Sequence, residues 1–255
     1  MPRNSEDVLF DPPPPAAKER LVYGREPKQF GDLRLPVGAG PWPLAVVLHG
    51  GYWKAMYNLI HTGHMCIALA EAGIATWNVE YRSVGDVGGG WPGTGEDIAR
   101  ATDYLGELTA RFPLDPKRIL FVGHSAGGQL ALVAARQAHL PVVALAPVSD
   151  LRDSVQRTGP DGPPAQYMGG TPAEVPERYA EASPCELLPL GVRQVILHGT
   201  ADDSVPYAMS RSYAASAGDE AELVTLEGAG HFELIDPQAR EWERVLEVTR
   251  RALSF

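Results

Sequence analysis

The 255-residue chain has only two cysteines, Cys66 and Cys185, too few for a disulfide scaffold and without metal-site spacing. Both read as small packing residues. No run approaches the ~18 unbroken apolar residues of a membrane span, so no membrane partner is expected. Met1 to Ala17 carries Arg3, Glu6, Asp7 and the run Pro12 to Pro15, which interrupts the apolar stretch of a secretory signal. A cytoplasmic location is the expectation. Cations are also scarce, with 22 Lys and Arg against 32 Asp and Glu and a formal charge of -10. Nucleic-acid binding depends on clustered cations that neutralise phosphates, so that class of partner is set aside.

What is present is an ordinary globular composition, 44% hydrophobic and 21% charged. Residues 1–19 are rich in proline and charge and read as an N-terminal arm. Residues 20–255 read as a single α/β domain. Leu21 to Tyr23 and Gln29 to Leu35 are expected as short antiparallel edge strands, closed by Pro36. Apolar runs of strand length follow at Leu44 to Leu48, Ile74 to Val79, Ile119 to Val122, Val142 to Ala146 and Val195 to Leu197. Between them Asn58 to Ala72, Gly95 to Ala110 and Ala126 to Ala138 repeat apolar residues every three or four positions, as crossover helices do. That alternation implies a mostly parallel sheet with helices on both faces. Residues 151–190 break the rhythm with Gly-Pro clusters around short helical pieces such as Glu174 to Ala182, and read as a small cap insertion. Pro206 to Ala217 suggests a helix, Ala221 to Leu226 a last strand, and Pro237 to Ala252 a final helix.

Gly123-His124-Ser125-Ala126-Gly127 matches G-x-S-x-G between an apolar strand and an alanine-rich helix. Such a turn strains the serine into exposure, and glycines flank it because a Cβ would meet neighbouring backbone. Ser125 is the candidate nucleophile. His49-Gly50-Gly51-Tyr52-Trp53 follows an earlier strand, so N–H groups of Gly51 or Tyr52, with Ala126 at the helix N-terminus, are the candidate oxyanion donors. His198 to Pro206 places Asp202 and Asp203 beyond another strand's carboxyl end, where sites in open parallel sheets lie. Gly228-Ala229-Gly230-His231-Phe232 comes after the last strand. His231 is the candidate base, alone of seven histidines in following the acid.

The other histidines carry plainer readings. His49, His124 and His198 are expected to support the site by hydrogen bonds, and His139 to end a helix. His61 and His64 are spaced to share a helix face but lack a third metal ligand, so no metal is assigned. Glu80 and Arg82, just past a strand end, are left as partners of one another or of substrate. Trp53, Trp91, Tyr167 and Phe232 are expected to wall an apolar substrate pocket. No cofactor is needed for this chemistry.

In this order the motifs resemble the α/β-hydrolase superfamily over roughly residues 20–253. His49 to Trp53 is similar to the HGGxW motif of kynurenine formamidases (arylformamidases) and related esterases. The resemblance implies a Ser125-His231-Asp202 triad, favouring Asp202 over Asp203, and a small ester, aryl-formamide or amide substrate. Tyr167 to Pro184 and His198 to Pro206 resemble prolyl-oligopeptidase-type hydrolases instead, which implies a peptidase acting on short peptides as the alternative. The chain is expected to act as a monomer or homodimer.

Overall fold

The computed structural model describes residues 12–254, so most of the expected arm, residues 1–11, lies outside the described residues. Eight strands form one sheet in the order β1-β2-β4-β3-β5-β6-β7-β8. They are β1 Glu19–Val22, β2 Phe30–Arg34, β3 Trp42–Leu48, β4 Ala75–Val79, β5 Leu114–His124, β6 Val142–Leu145, β7 Gln194–Gly199 and β8 Ala221–Leu226. The first two pair antiparallel, and every pairing from β4 to β8 is parallel.

The two-residue period of a strand sorts its side chains onto opposite faces. Leu44, Val46 and Leu48 of β3 join a core that includes Ile98, Leu108 and Leu130, while Ala45 and Val47 join a second core with Met65, Leu69, Val245 and Val248. The first core belongs to helices α2 (Gly93–Asp103), α3 (Leu105–Arg111) and α4 (Ala126–Ala138), and the second to α1 (Gly63–Glu71) and α9 (Trp242–Ala252). Both faces are therefore covered. Between β6 and β7 lie α5 (Leu151–Thr158), α6 (Pro163–Met168) and α7 (Pro176–Ala182), and α8 (Tyr207–Ala217) precedes β8.

Three expected helices differ in extent. The expected Asn58 to Ala72 helix begins as a 3-10 turn, Leu59–Thr62, before α1. Tertiary partners tighten it: Leu59 N–H donates to Glu80, and Asn78 donates to the Leu59 carbonyl. The second expected helix divides into α2 and α3 at Tyr104, whose ring packs on Trp77. The last starts at Trp242 rather than Pro237, because residues 236–239 form a turn closed by Ala239 N–H to the Asp236 carbonyl. Among the described residues no helix is long and apolar enough to cross a membrane.

Central strands should dominate stability. Phe121 on β5 is 1% exposed, so F121A should cost about 3–5 kcal/mol in urea unfolding. Val37, fully exposed past β2, should tolerate V37S within about 0.5 kcal/mol. Equal effects would contradict a core centred on β5.

Candidate active site

Ser125 joins β5 to α4 with φ 57 and ψ -120, a region that costs a non-glycine residue about 1–3 kcal/mol. The turn is held by its surroundings. Ser125 N–H donates to the Leu145 carbonyl at 2.9 Å, and its own carbonyl accepts from Gly128 N–H at 2.9 Å. A Cβ at position 123 would lie 2.1 Å from the Gly127 carbonyl oxygen, and one at 127 would lie 2.2 Å from that of Leu48. Helix α4 thus leaves the elbow pressed against the ends of β3 and β5, a fit that glycine alone permits.

The loop after β3 meets the elbow directly. A Cβ on Gly50 would stand 3.1 Å from Ser125 Cβ. Gly51 has φ 114, and a Cβ there would come within 2.3 Å of Tyr57 Cβ, so glycine is required on both counts. Tyr52 and Trp53 also sit in the left-handed region, at φ 56 and 54. His49 stacks on Tyr81 at 4.3 Å, and the Tyr81 hydroxyl donates to the His49 carbonyl at 2.6 Å. This clamp orients the glycine turn from beneath.

His231 Nδ1–H donates to Asp202 Oδ2 at 2.7 Å. The same oxygen lies 3.1 Å from His198 Nε2, while Oδ1 accepts the N–H groups of Ser204 and Val205 at 2.9 and 2.8 Å. Burial raises a carboxyl's pKa, but the hydrogen bonds from His198 and His231 outweigh it and hold Asp202 well below the ordinary range. Asp203 is exposed and bonds only the neighbouring Ser204 hydroxyl. The His231 loop is tied to the elbow through His124, whose Nε2 lies 2.9 Å from the His231 carbonyl oxygen. Ala126 is the first residue of α4, where backbone N–H groups have no intrahelical partner.

Several expectations need correction. Trp53 and Tyr167 stack at 4.8 Å with 2% and 1% exposure, and Trp53 Nε1–H donates to Gln129. Both belong to the core, and Tyr167 also borders the groove that Trp91 lines. Trp91 is half-buried and, with Ile98, Leu130 and Val133, lines a groove of about 230 Å³ between α2 and α4. Phe232 is half-buried and meets the His231 ring edge-on at 5.1 Å. Arg82 pairs with Asp97 at 2.6 Å, not with Glu80. Glu80 is buried and serves Leu59 N–H, Lys28 and His49. His61 and His64 do not share a helix face: His61 is buried in the 3-10 turn, and His64 bonds the Pro12 carbonyl. Their turn gave no periodic signal to follow.

Residues 32–216, more than half of the chain, match the family described as BD-FAE. The chain belongs to the BD-FAE family. This BD-FAE member is 25% identical over 248 residues to Esterase LipC of Mycobacterium tuberculosis, covering 86% of this chain and 60% of that protein. It is also 25% identical over 260 residues to a probable isoprenylcysteine alpha-carbonyl methylesterase, ICME, of Oryza sativa, covering 89% and 61%. The chain thus spans about three fifths of these relatives' length. A truncated carbohydrate esterase from gut microbiota superposes with TM-score 0.79 at 19% identity, over 95% of this chain and all of that one, a likeness of fold. The architecture is the α/β-hydrolase fold.

Buried groups of this BD-FAE member set its acid sensitivity. Burial pushes His61 down to about 3 and His124 well below the ordinary histidine value, with neighbouring histidine charge acting in the same direction. In the unfolded chain they take protons near ~6.5, so their contribution is full above that pH and is lost as pH falls toward the folded values. Asp202 acts lower: its contribution is present above ~3.9 and lost as pH falls below it. The urea midpoint should therefore drop between pH 7 and pH 4, less steeply in H61Q, with a further loss below pH ~4 that D202N lacks. A midpoint constant from pH 7 to pH 4 would refute this.

Proposed function

We propose that this protein is a serine hydrolase that cleaves a small carboxylic ester, or an aryl-formamide, through an acyl-enzyme. The reading is carried by one observation: the 2.7 Å bond from His231 Nδ1–H to a buried Asp202, on a loop bonded to the residue preceding Ser125. That bond fixes the tautomer, which leaves Nε2 unprotonated as the base and stabilises the imidazolium that forms. Ser125 Oγ attacks the carbonyl carbon as Nε2 takes its proton. The oxyanion is met by N–H groups of Gly51 or Tyr52 and of Ala126, each donor contributing about 3–4 kcal/mol. Collapse expels the alcohol or arylamine, protonated by His231, and water then attacks the acyl-enzyme under the same base. The similarity to Esterase LipC and to the probable methylesterase ICME supports the ester reading.

A peptidase that takes a free N-terminus needs a carboxylate to hold the α-amine. The buried acids Glu80 and Asp97 are engaged by His49 and Lys28 and by Arg82. The ester or formamide reading is therefore preferred.

Turnover of p-nitrophenyl acetate and N-formylkynurenine tests it. S125A should lose about 10³-fold or more in kcat and all labelling by a fluorophosphonate. D202N should fall by about 10⁴-fold, and D203N should stay close to wild type. Saturable turnover surviving S125A would remove the nucleophile. Hydrolysis of aminoacyl p-nitroanilides without any of simple esters would favour the peptidase.

A further inference from the structure

Of the buried histidines outside the proposed triad, His124 and His61 are hydrogen-bonded to one another. His124 is fully buried immediately before Ser125, and His61 is 5% exposed in the turn leading to α1. His124 Nε2 lies 2.9 Å from the His231 carbonyl oxygen, and His124 Nδ1 lies 2.9 Å from His61 Nε2.

The proton positions follow from what each atom can do. A carbonyl oxygen only accepts, so His124 Nε2 carries the hydrogen. Burial disfavours a second proton on that ring, so its Nδ1 accepts. His61 Nε2–H must then donate, which leaves His61 Nδ1 as a bare acceptor. That atom is buried without a hydrogen-bond partner, an unfavourable arrangement. The ring as placed supplies His124 with a donor. A Cβ on Gly50 would lie 3.1 Å from both His61 Nε2 and Ser125 Cβ, so the relay abuts the oxyanion loop and the nucleophile together.

We propose that His61 and His124 are positioning residues for the ester chemistry: a two-step hydrogen-bond relay, His61 to His124 to the His231 carbonyl, sets the base loop against Ser125. The proposal rests on the ester reading above. Asp202 fixes the His231 ring through Nδ1, and the relay fixes its backbone. The two restraints act on different parts of one residue, and the second originates at the nucleophile's own neighbour. The pair touches no reacting atom.

Side-chain reach separates this role from simple packing. A glutamine amide nitrogen extends about as far as histidine Nε2, and an asparagine side chain about as far as Nδ1. On p-nitrophenyl acetate, H61Q should stay close to wild type and H124Q, which keeps the bond to the His231 carbonyl but not the link to His61, should lose less than H124N, whereas H124N and H61A should lose about 10- to 100-fold in kcat with little change in KM. Equal losses in H124Q and H124N, or losses confined to KM, would overturn the proposal. An independent readout uses S125A at pH 7, where imidazole ¹⁵N shifts should show His61 and His124 both as Nε2–H tautomers. An Nδ1–H tautomer at either ring would overturn the relay. Wild type inert toward esters and fluorophosphonate would sink the ester reading and the positioning role with it, while the spectrum would still decide whether the relay exists.

Discussion

The close approach of α4 to the ends of β3 and β5 is the constraint on which the rest of the molecule depends. No Cβ fits at positions 123 or 127, where carbonyl oxygens of Gly127 and Leu48 stand 2.1 and 2.2 Å from where it would be. The helix can then begin immediately after a residue at φ 57. Strain at Ser125 is tolerated because Leu145 and Gly128 bond its backbone from two sides. The same crowding sets the His49–Trp53 loop against the serine, since a Cβ on Gly50 would lie 3.1 Å from Ser125 Cβ.

Around this contact two buried carboxylates are each held by several donors. Asp202 uses both oxygens, one toward two histidines and one toward two backbone N–H groups. Glu80 is divided among Leu59, His49 and Lys28. A buried carboxylate with fewer partners would be protonated or unstable, so these donors are a condition of the fold as well as of the proposed reaction. The histidines are distributed in the same way. His198 bonds Ser210 and the Val205 carbonyl, His49 bonds the Gly50 carbonyl, and His124 bonds the His231 carbonyl. Each supports a loop that arrives from a different strand.

Much of the architecture was legible before any coordinates. The apolar runs at 44–48, 142–146 and 195–197 are strands buried on both faces, because side chains alternate between two helical layers. Expectations failed where a side chain's partner lies far off in sequence. Arg82 turns to Asp97, fifteen positions on and one helix away, instead of nearby Glu80. His61 leaves the face it was expected to share with His64, because Glu80 and Asn78 pull the Leu59 backbone into a tighter turn. Trp53 was read as a pocket wall, yet it stacks on Tyr167 in the core. Apolar character alone does not distinguish the two roles.

By itself the sequence determined the order of strands and helices, the glycines that let α4 follow Ser125, and the positions of the candidate acid and base beyond strand ends. These are properties of local backbone and period, which a chain carries with it. Only the tertiary structure decided that His231 bonds Asp202 while Asp203 faces solvent, and that His61 and His124 reach the His231 loop. Neighbouring aspartates share the same local propensities. What separates them is which one the packed sheet turns inward, where a carboxylate must find donors to remain charged.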